Sequence, residues 1–502
     1  MPLILSRRSF VSSTLATGAG LLLAERLVAD PYHPLPRPPR LLGAPVRVRG
    51  RVTVDGRPRA RVAVSDGREV VATDRDGRYT LVTTGGRPWL SLSLPAGARI
   101  PVSATGTAAL HRAVAPDARG EMTADFALAA APTDDATHGF VLLADTQTQS
   151  AFEMARLHAE TVPDVRATIA TLGAGQVFGI ACGDIMFDDL SLYPEYERAV
   201  AAMGVPFFQV AGNHDLDYAS RTFEGATATF ERHFGPAHYS FNVGAVHYIV
   251  LQDVLWYGDG YVGYLPAEQL EWVAADLALV EKGRPVVVAL HIPLASTQPV
   301  RTGDREGRHG TLVNNREALY RLLEGYRANV LSGHTHENEH IFAGGVHEQV
   351  VGTTCGAWWS GDICWDGTPN GYAVLEVQGE QVRWRYQATG QPATHQMRLY
   401  APGADPTAPG DFMANVWDWT PDWTVTWAED GQRRGLMSRR TGKDPRAVRE
   451  QTGADKPSRR GWVEPMTTTH LFYATPTPGT RTLTVEARDP FGRTYLETLA
   501  LG

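Results

Sequence analysis

Five short segments of this chain each close an apolar run with side chains able to bind metal. They are Asp145-Thr146-Gln147, Gly183-Asp184, Gly212-Asn213-His214-Asp215, His291 and Gly333-His334-Thr335-His336. The preceding runs, 140–144, 177–181, 207–211, 286–290 and 328–331, read as buried strands. Helical patterns are expected at 150–172, 194–203, 266–282 and 315–328. The third opens on Pro266, a favoured first helical residue, and places Leu270, Val273 and Leu277 on one face. Strand–helix alternation over 136–350 implies a layered α/β domain. Open α/β sheets hold their ligand sites just beyond the carboxyl ends of the strands. A chain that repeats Asp, Asn and His at that place folds to bring those loops together.

The residue types suit a shared metal site. Carboxylate, amide oxygen and imidazole form a hard-to-borderline donor set suited to Mn, Fe or Zn. On an extended segment residues i and i+2 share a side, so Asp145 and Gln147 are expected to meet one ion and His334 and His336 to face one cleft. Adjacent residues diverge, so an Asn213 bound to metal leaves His214 free to point at a substrate. Taken singly, these pieces carry little. A lone His291 is ordinarily a satisfied structural histidine, and Gly-Asn-His-Asp alone is an ordinary turn. The ordered set carries the argument.

That set, running D-x-Q, GD, GNHD, H, GHTH, resembles the calcineurin-like metallophosphoesterase superfamily. The resemblance implies a central αββα-type layered domain and a hydrolase acting on a phosphodiester or phosphomonoester through attack of metal-bound hydroxide. It implies two metal ions, the first held by Asp145, Gln147, Asp184 and His336, the second by Asp184, Asn213, His291 and His334, with Asp184 bridging. His214 would protonate the leaving oxygen, and Asp215 would hold the His214 ring. Gln147 stands where most members have His. Some nucleotide-pyrophosphatase-like members are similar in having Gln there. The more oxygen-rich first site favours Mn or Fe over Zn.

The flanks differ from this centre. Residues 45–131 alternate with period two between Asp-Gly turns, as in a β-sandwich, and 73–81 resembles small carboxypeptidase-regulatory modules. From 351 to 502 the chain returns to β character. There Cys355-Gly356-Ala357-Trp358-Trp359-Ser360-Gly361 and Asp366-Gly367-Thr368-Pro369-Asn370-Gly371-Tyr372 resemble the C-terminal domain of an exported three-domain subgroup. Trp358, Trp359 and Asn370 are candidates for substrate contact at the cleft rim, with burial in a core as the other reading of the tryptophans. Asp188 and Asp189 read as helix N-caps rather than cleft groups. The basic stretch 431–461 reads as a solvated or disordered loop, with contact to an anionic surface as the alternative.

Ser6-Arg7-Arg8-Ser9-Phe10-Val11 and the short apolar stretch after it match a twin-arginine signal over residues 1–29, followed by a Pro- and Arg-rich linker over 30–44. The chain is therefore expected to be exported by the twin-arginine machinery to a periplasmic, cell-surface or secreted location. No segment has the apolar length of a membrane span. A net charge of −8 argues against nucleic-acid binding. Three cysteines form no disulfide framework. Cys182 reads as a buried hydrophobe, and the sequence leaves open whether Cys355 and Cys364 bridge. Two other functions remain beside the esterase: a nucleotide-type pyrophosphatase, and a non-catalytic cell-surface or glycan-binding protein that keeps a metal site. The presence of His214, an imidazole a structural metal site does not need, stands against the last.

Overall fold

Along the strand Thr137–Leu143 neighbouring side chains part company, because strand side chains alternate between faces. Phe140 and Leu142 enter one apolar cluster, and Val141 and Leu143 enter another. A strand buried on both faces needs cover on both. The computed structural model describes residues 43–502 except Gly85, Ala174, 304–307, 454–455 and Gly502. The expected signal and nearly all of the expected linker lie outside the described residues.

Two sheets build the centre. One has the order Phe207–Val210, Gln176–Cys182, Thr137–Leu143, Gly371–Gln378, Gln381–Ala388, its first three strands parallel. The other has the order Tyr239–Val243, Val246–Val250, Pro285–Ala289, Arg327–Ser332, Val346–Val350, Glu339–Ala343. Phe140, Phe178 and Phe208 of the first pack with Phe241, Tyr248 and Val287 of the second. Helices Tyr193–Met203 and Val162–Ile169 cover the outer face of the first sheet. Helices Ala267–Leu277 and Arg316–Leu323 cover that of the second. The layers are αββα, as expected.

The helix expected over 150–172 is interrupted. A π turn at Leu157–Thr161 separates Ala151–Arg156 from Val162–Ile169. Pro163 lacks the N–H an unbroken helix would donate to Ala159, and the wider turn absorbs that defect.

An N-terminal sandwich of two sheets, built on Pro45–Val54 with Arg78–Thr84 and on Ala63–Ser65 with Trp89–Leu92, buries Val48, Val64, Leu81 and Leu90. On the C-terminal side two antiparallel four-stranded sheets enclose Phe412, Val425, Phe472 and Leu483. Strands Gly371–Gln378 and Gln381–Ala388, beyond residue 350, pair into the first central sheet, so that sheet draws on chain from both sides of 350. Their local alternation matches the β region after them, and only the register to Thr137–Leu142 assigns them to the centre.

Up to residue 451 the basic stretch is not a loop. It forms Gln432–Leu436, Ser438–Lys443 and the helix Pro445–Gln451. Two of its exposed arginines lie over rings, Arg439 over Trp419 at 4.0 Å and Arg440 over Tyr473 at 4.7 Å. Cys182, Cys355 and Cys364 are free and buried. Among the described residues no helix is long and apolar enough to cross a membrane.

Candidate metal centre

At the ends of the central strands the backbone turns through conformations that L-residues avoid. Asp145, Gln147, Asp184, His334 and His336 have φ of 47°, 37°, 47°, 72° and 55°, in the left-handed region where non-glycine residues are uncommon. The loops are therefore not extended. His334 and His336 do share the cleft, but through successive left-handed turns rather than the pleat expected from sequence. Such conformations persist only where the surroundings hold them.

Buried acceptors and donors do the holding. Asp145 Oδ2 accepts His334 N–H at 2.9 Å, and Asp184 Oδ1 accepts His214 N–H at 2.9 Å. Asp253, on which sequence reasoning placed no role, accepts the N–H groups of His291 and Ile292 at 3.2 and 2.8 Å. The indole of Trp359 donates to the Thr146 carbonyl at 2.8 Å, and that of Trp365 to the Thr335 carbonyl at 2.9 Å. Gly183 is required for closeness as well as conformation: a Cβ there would lie 2.5 Å from His291 Nδ1.

Each candidate histidine ligand turns its outer nitrogen to a backbone carbonyl. His291 Nδ1 donates to Cys182, His334 Nε2 to Gly310 and His336 Nδ1 to Gly356, all at 3.0 Å. An N–H spent outward fixes the tautomer and leaves the inner nitrogen as a lone pair. Those inner atoms converge. His291 Nε2 lies 3.2 Å from Asp184 Oδ1, 3.1 Å from Asn213 Oδ1 and 3.2 Å from His334 Nδ1. The atoms of Asp184, His291 and His334 lie within 4.8 Å of one another. At the other end His336 Nε2 is 3.6 Å from Asp145 Oδ1 and has no hydrogen-bond partner. Gln147 donates from Nε2 to Asp184 Oδ2 at 2.6 Å, and its Oε1 is buried without a partner. All seven expected ligands therefore gather in one cleft, and the two orphaned atoms belong to the set expected to hold the first ion. The residues fit a two-ion centre.

Burial and neighbouring charges shift the titrations within the cluster. Burial pushes Asp145 up to about 8, with His291 offsetting part of it. Burial would also raise Asp184, but His291 and His214 hold it well below the usual carboxylate range. Burial lowers His334 and His336 to about 3, keeping both neutral as ligands must be. Burial opposes a proton on His291, yet Asp184 outweighs it and raises His291 to about 10. A cation bound there would displace that proton.

His214 stands beside this cluster without joining it, its Nε2 4.0 Å from Asp184 Oδ2. The expected partner of its ring is not Asp215. Asp215 is buried and spends its oxygens on the N–H groups of Ile185, Met186 and Gly212 and on the Tyr193 hydroxyl. The ring nitrogen Nδ1 instead donates to Asp188 Oδ1 at 2.6 Å, and Tyr218 hydroxyl donates to the same oxygen at 2.8 Å. Only Asp189 caps a helix. Asp188 has φ of 69°, which turns its side chain toward the cleft. The resemblance pointed to the adjacent acid, and nothing local in the sequence distinguishes Asp188 from Asp189.

The rim residues also move. Trp359 is buried beneath Thr146. Trp358 stacks on His336 at 3.8 Å with 17° between the planes, backing a candidate ligand. Asn370 is buried where its backbone joins Asp362 and Thr389.

Comparison with known proteins gives this fold and donor set a family. The model for calcineurin-like phosphoesterase matches residues 140–338, and models for its N-terminal and C-terminal parts match 46–131 and 348–495. The chain belongs to the calcineurin-like phosphoesterases. It is 29% identical over 147 residues to purple acid phosphatase 15 of Arabidopsis thaliana, covering 27% of this chain and 25% of that protein. It is 29% identical over 188 residues to the serine/threonine-protein phosphatase CPPED1 of Bos taurus, covering 36% and 55%. The chain thus spans a quarter to about half the length of these relatives. Among solved structures it is similar to a dimetal phosphatase from Danio rerio, at 14% identity and a TM-score of 0.34 over 50% of this chain and 96% of that one. It is also similar to a purple acid phosphatase from yellow lupin, at 15% identity and a TM-score of 0.38 over 65% and 67%.

Proposed function

We propose that this chain is an exported hydrolase of a phosphodiester or phosphomonoester, working with two metal ions. The observation that carries the reading is the convergence of three inner imidazole nitrogens on Asp184 and Asp145, beside an imidazole that is not among the ligands. Asp145, Gln147, Asp184 and His336 would hold one ion and Asp184, Asn213, His291 and His334 the other. Two such ions supply a water-derived nucleophile at neutral pH and neutralise charge on the phosphoryl oxygens. Gln147 makes the first set oxygen-rich, which favours Mn or Fe.

The chain's own groups do the rest. Burial opposes a charge on His214, but Asp184 and Asp188 raise its pKa, which favours the protonated ring. Asp188 and Tyr218 fix the ring with Nε2 as the free donor, and that proton passes to the leaving oxygen. The twin-arginine pattern at 6–11 supports export.

The test is turnover of bis-p-nitrophenyl phosphate, p-nitrophenyl phosphate and a nucleoside diphosphate by chain reconstituted with Mn, Fe or Zn. Asp184→Asn is expected to abolish it, and His214→Ala to lower kcat about 10²–10⁴-fold with metal content unchanged. Preference for the diphosphate would favour a pyrophosphatase. No turnover of any of these with two ions bound would leave the binding-protein reading.

A further inference from the structure

The segment 459–463 belongs by sequence to the C-terminal β region but lies against the candidate centre from outside. Phe187, Trp358, Trp365 and Val463 gather there around Ala357, and Trp462 stands outermost, 54% exposed. Its ring meets Trp358 edge-on at 4.6 Å, and Trp358 stacks on His336. Trp462 is therefore two ring contacts from a candidate metal ligand. Beside it Arg460 lies over Phe187 at 4.6 Å, and Phe187 meets the His214 ring edge-on at 4.5 Å.

An isolated exposed tryptophan needs no explanation, but this one is mounted. Arg460 is held at φ of 58°. Its Nη2 donates to Gln149 at 3.0 Å and Glu153 at 3.2 Å, while Arg459 Nη1 reaches the same Glu153 oxygen at 2.9 Å. Glu153 is fully buried. Two arginines on one buried carboxylate anchor the segment. Gln149 and Glu153 follow directly on the Asp145–Gln147 turn, so the anchor fixes Trp462 relative to the ligands. An exposed indole held at a fixed distance from a candidate phosphoester site suits an ester that carries a flat ring.

We propose that Trp462 is the stacking surface for a ring on the ester group of the substrate, a nucleobase or the apolar face of a sugar, with Arg460 as the residue that positions it. The proposal rests on the hydrolase reading above and names the class of substrate. Rings of either kind present a face that stacks on indole, and stacking of this sort is typically worth tenfold or more in affinity.

Three methyl phosphodiesters whose second ester is a nucleoside, a hexose or ethanol test it, with products of the metal-loaded full chain separated chromatographically. In Trp462→Ala the ratio of kcat/KM for the favoured ring ester to that for the ethyl ester is expected to fall about tenfold. Trp462→Phe should restore most of it. The ring whose ratio falls identifies base or sugar. Equal change in all three esters, or change in none, overturns the proposal. Calorimetric binding of a nucleoside monophosphate and a hexose monophosphate, with bound metal measured in each variant, separates the two readings. Binding weakened in Trp462→Ala by a chain that turns nothing over sinks the hydrolase and keeps the stacking surface. Normal turnover with unaltered binding and selectivity does the reverse.

Discussion

The two flanking β regions attach to the same αββα centre by different chemistry. The N-terminal sandwich meets it through backbone bridges Leu94–Phe241 and Thr107–Phe207, through Arg68 and Arg87 on Glu268, and through the Trp272 indole on Ser65. Among the described residues, none of its hydrogen bonds or ion pairs reaches a candidate ligand. The C-terminal side puts indole N–H groups on Thr146 and Thr335, each the middle residue between two candidate ligands, and arginines on Glu153. One flank is a seat on the back of the helices and sheets. The other is scaffold for the metal loops, and mutations on the two sides should separate stability from function accordingly.

The hardest blow to the C-terminal side is Trp359→Ala. It empties a buried aromatic site, removes the donor to Thr146 and takes away the ring under Arg156. A loss of about 4 kcal/mol is expected from the cavity, together with bound metal falling below two ions per chain. Denaturant melts and metal analysis check this, and full metal content in the folded variant would show that the loop stands without its indole.

Acid should attack the other flank. His111 and His138 are lowered by burial to about 4, and His238, which donates to the Gly67 carbonyl, is lowered as well. His138 lies in the central strand beneath the sandwich, where it donates to the Asp135 carbonyl and accepts from Tyr248. Groups with depressed folded pKa values bind a proton more readily when unfolded, so their contribution is complete above about 6.5 and drains away as pH falls toward 4. For His111, in the sandwich strand His111–Ala113, that amounts to about 3 kcal/mol by pH 4. Limited proteolysis across this range is expected to open residues 45–131 before 390–502. The reverse order would remove the distinction between the flanks.

Much of the centre was readable in the sequence because ligand chemistry follows strands whose apolar runs are long and whose ends are marked by glycine. All seven candidate ligands gather, and the layers follow from alternation of strand and helix. What could not be read depended on contacts between distant segments. Asp188 replaces Asp215 beside His214 because a left-handed residue turns it there, and nothing adjacent announces that conformation. Trp358 and Trp359 were open between a rim and a core, because composition does not separate an indole that covers a loop from one that faces solvent. The strands at 371–388 look like the sheets that follow them until their partners are known. Trp365→Phe probes this unreadable layer with a small change. It removes the N–H to Thr335, whose carbonyl keeps the Gln298 amide at 3.1 Å, so the stability cost is about 1 kcal/mol. Metal affinity should fall about tenfold, as for other partners that orient a ligand loop, and a metal-binding titration decides it.

The smallest effect is expected where the N-terminal seat is charged. Glu268 receives Arg68 at 2.8 Å and Arg87 at 2.6 Å, with its side chain 33% exposed. Partly solvated pairs gain little, because water screens the attraction and two long side chains lose freedom to keep one geometry. Glu268→Gln keeps the shape and one acceptor oxygen, so stability should change by less than about 1 kcal/mol. The loss should shrink further in high salt, which screens what remains of the charge. Helix Ala267–Leu277 covers the outer face of the second sheet, and the candidate ligands stand beyond the strand ends, so kcat and metal content should match the parent chain. A several-fold fall in kcat with stability intact would mean that the N-terminal sandwich is coupled to the centre through that helix, and the contrast between a seat and a scaffold would then fail at its weaker side.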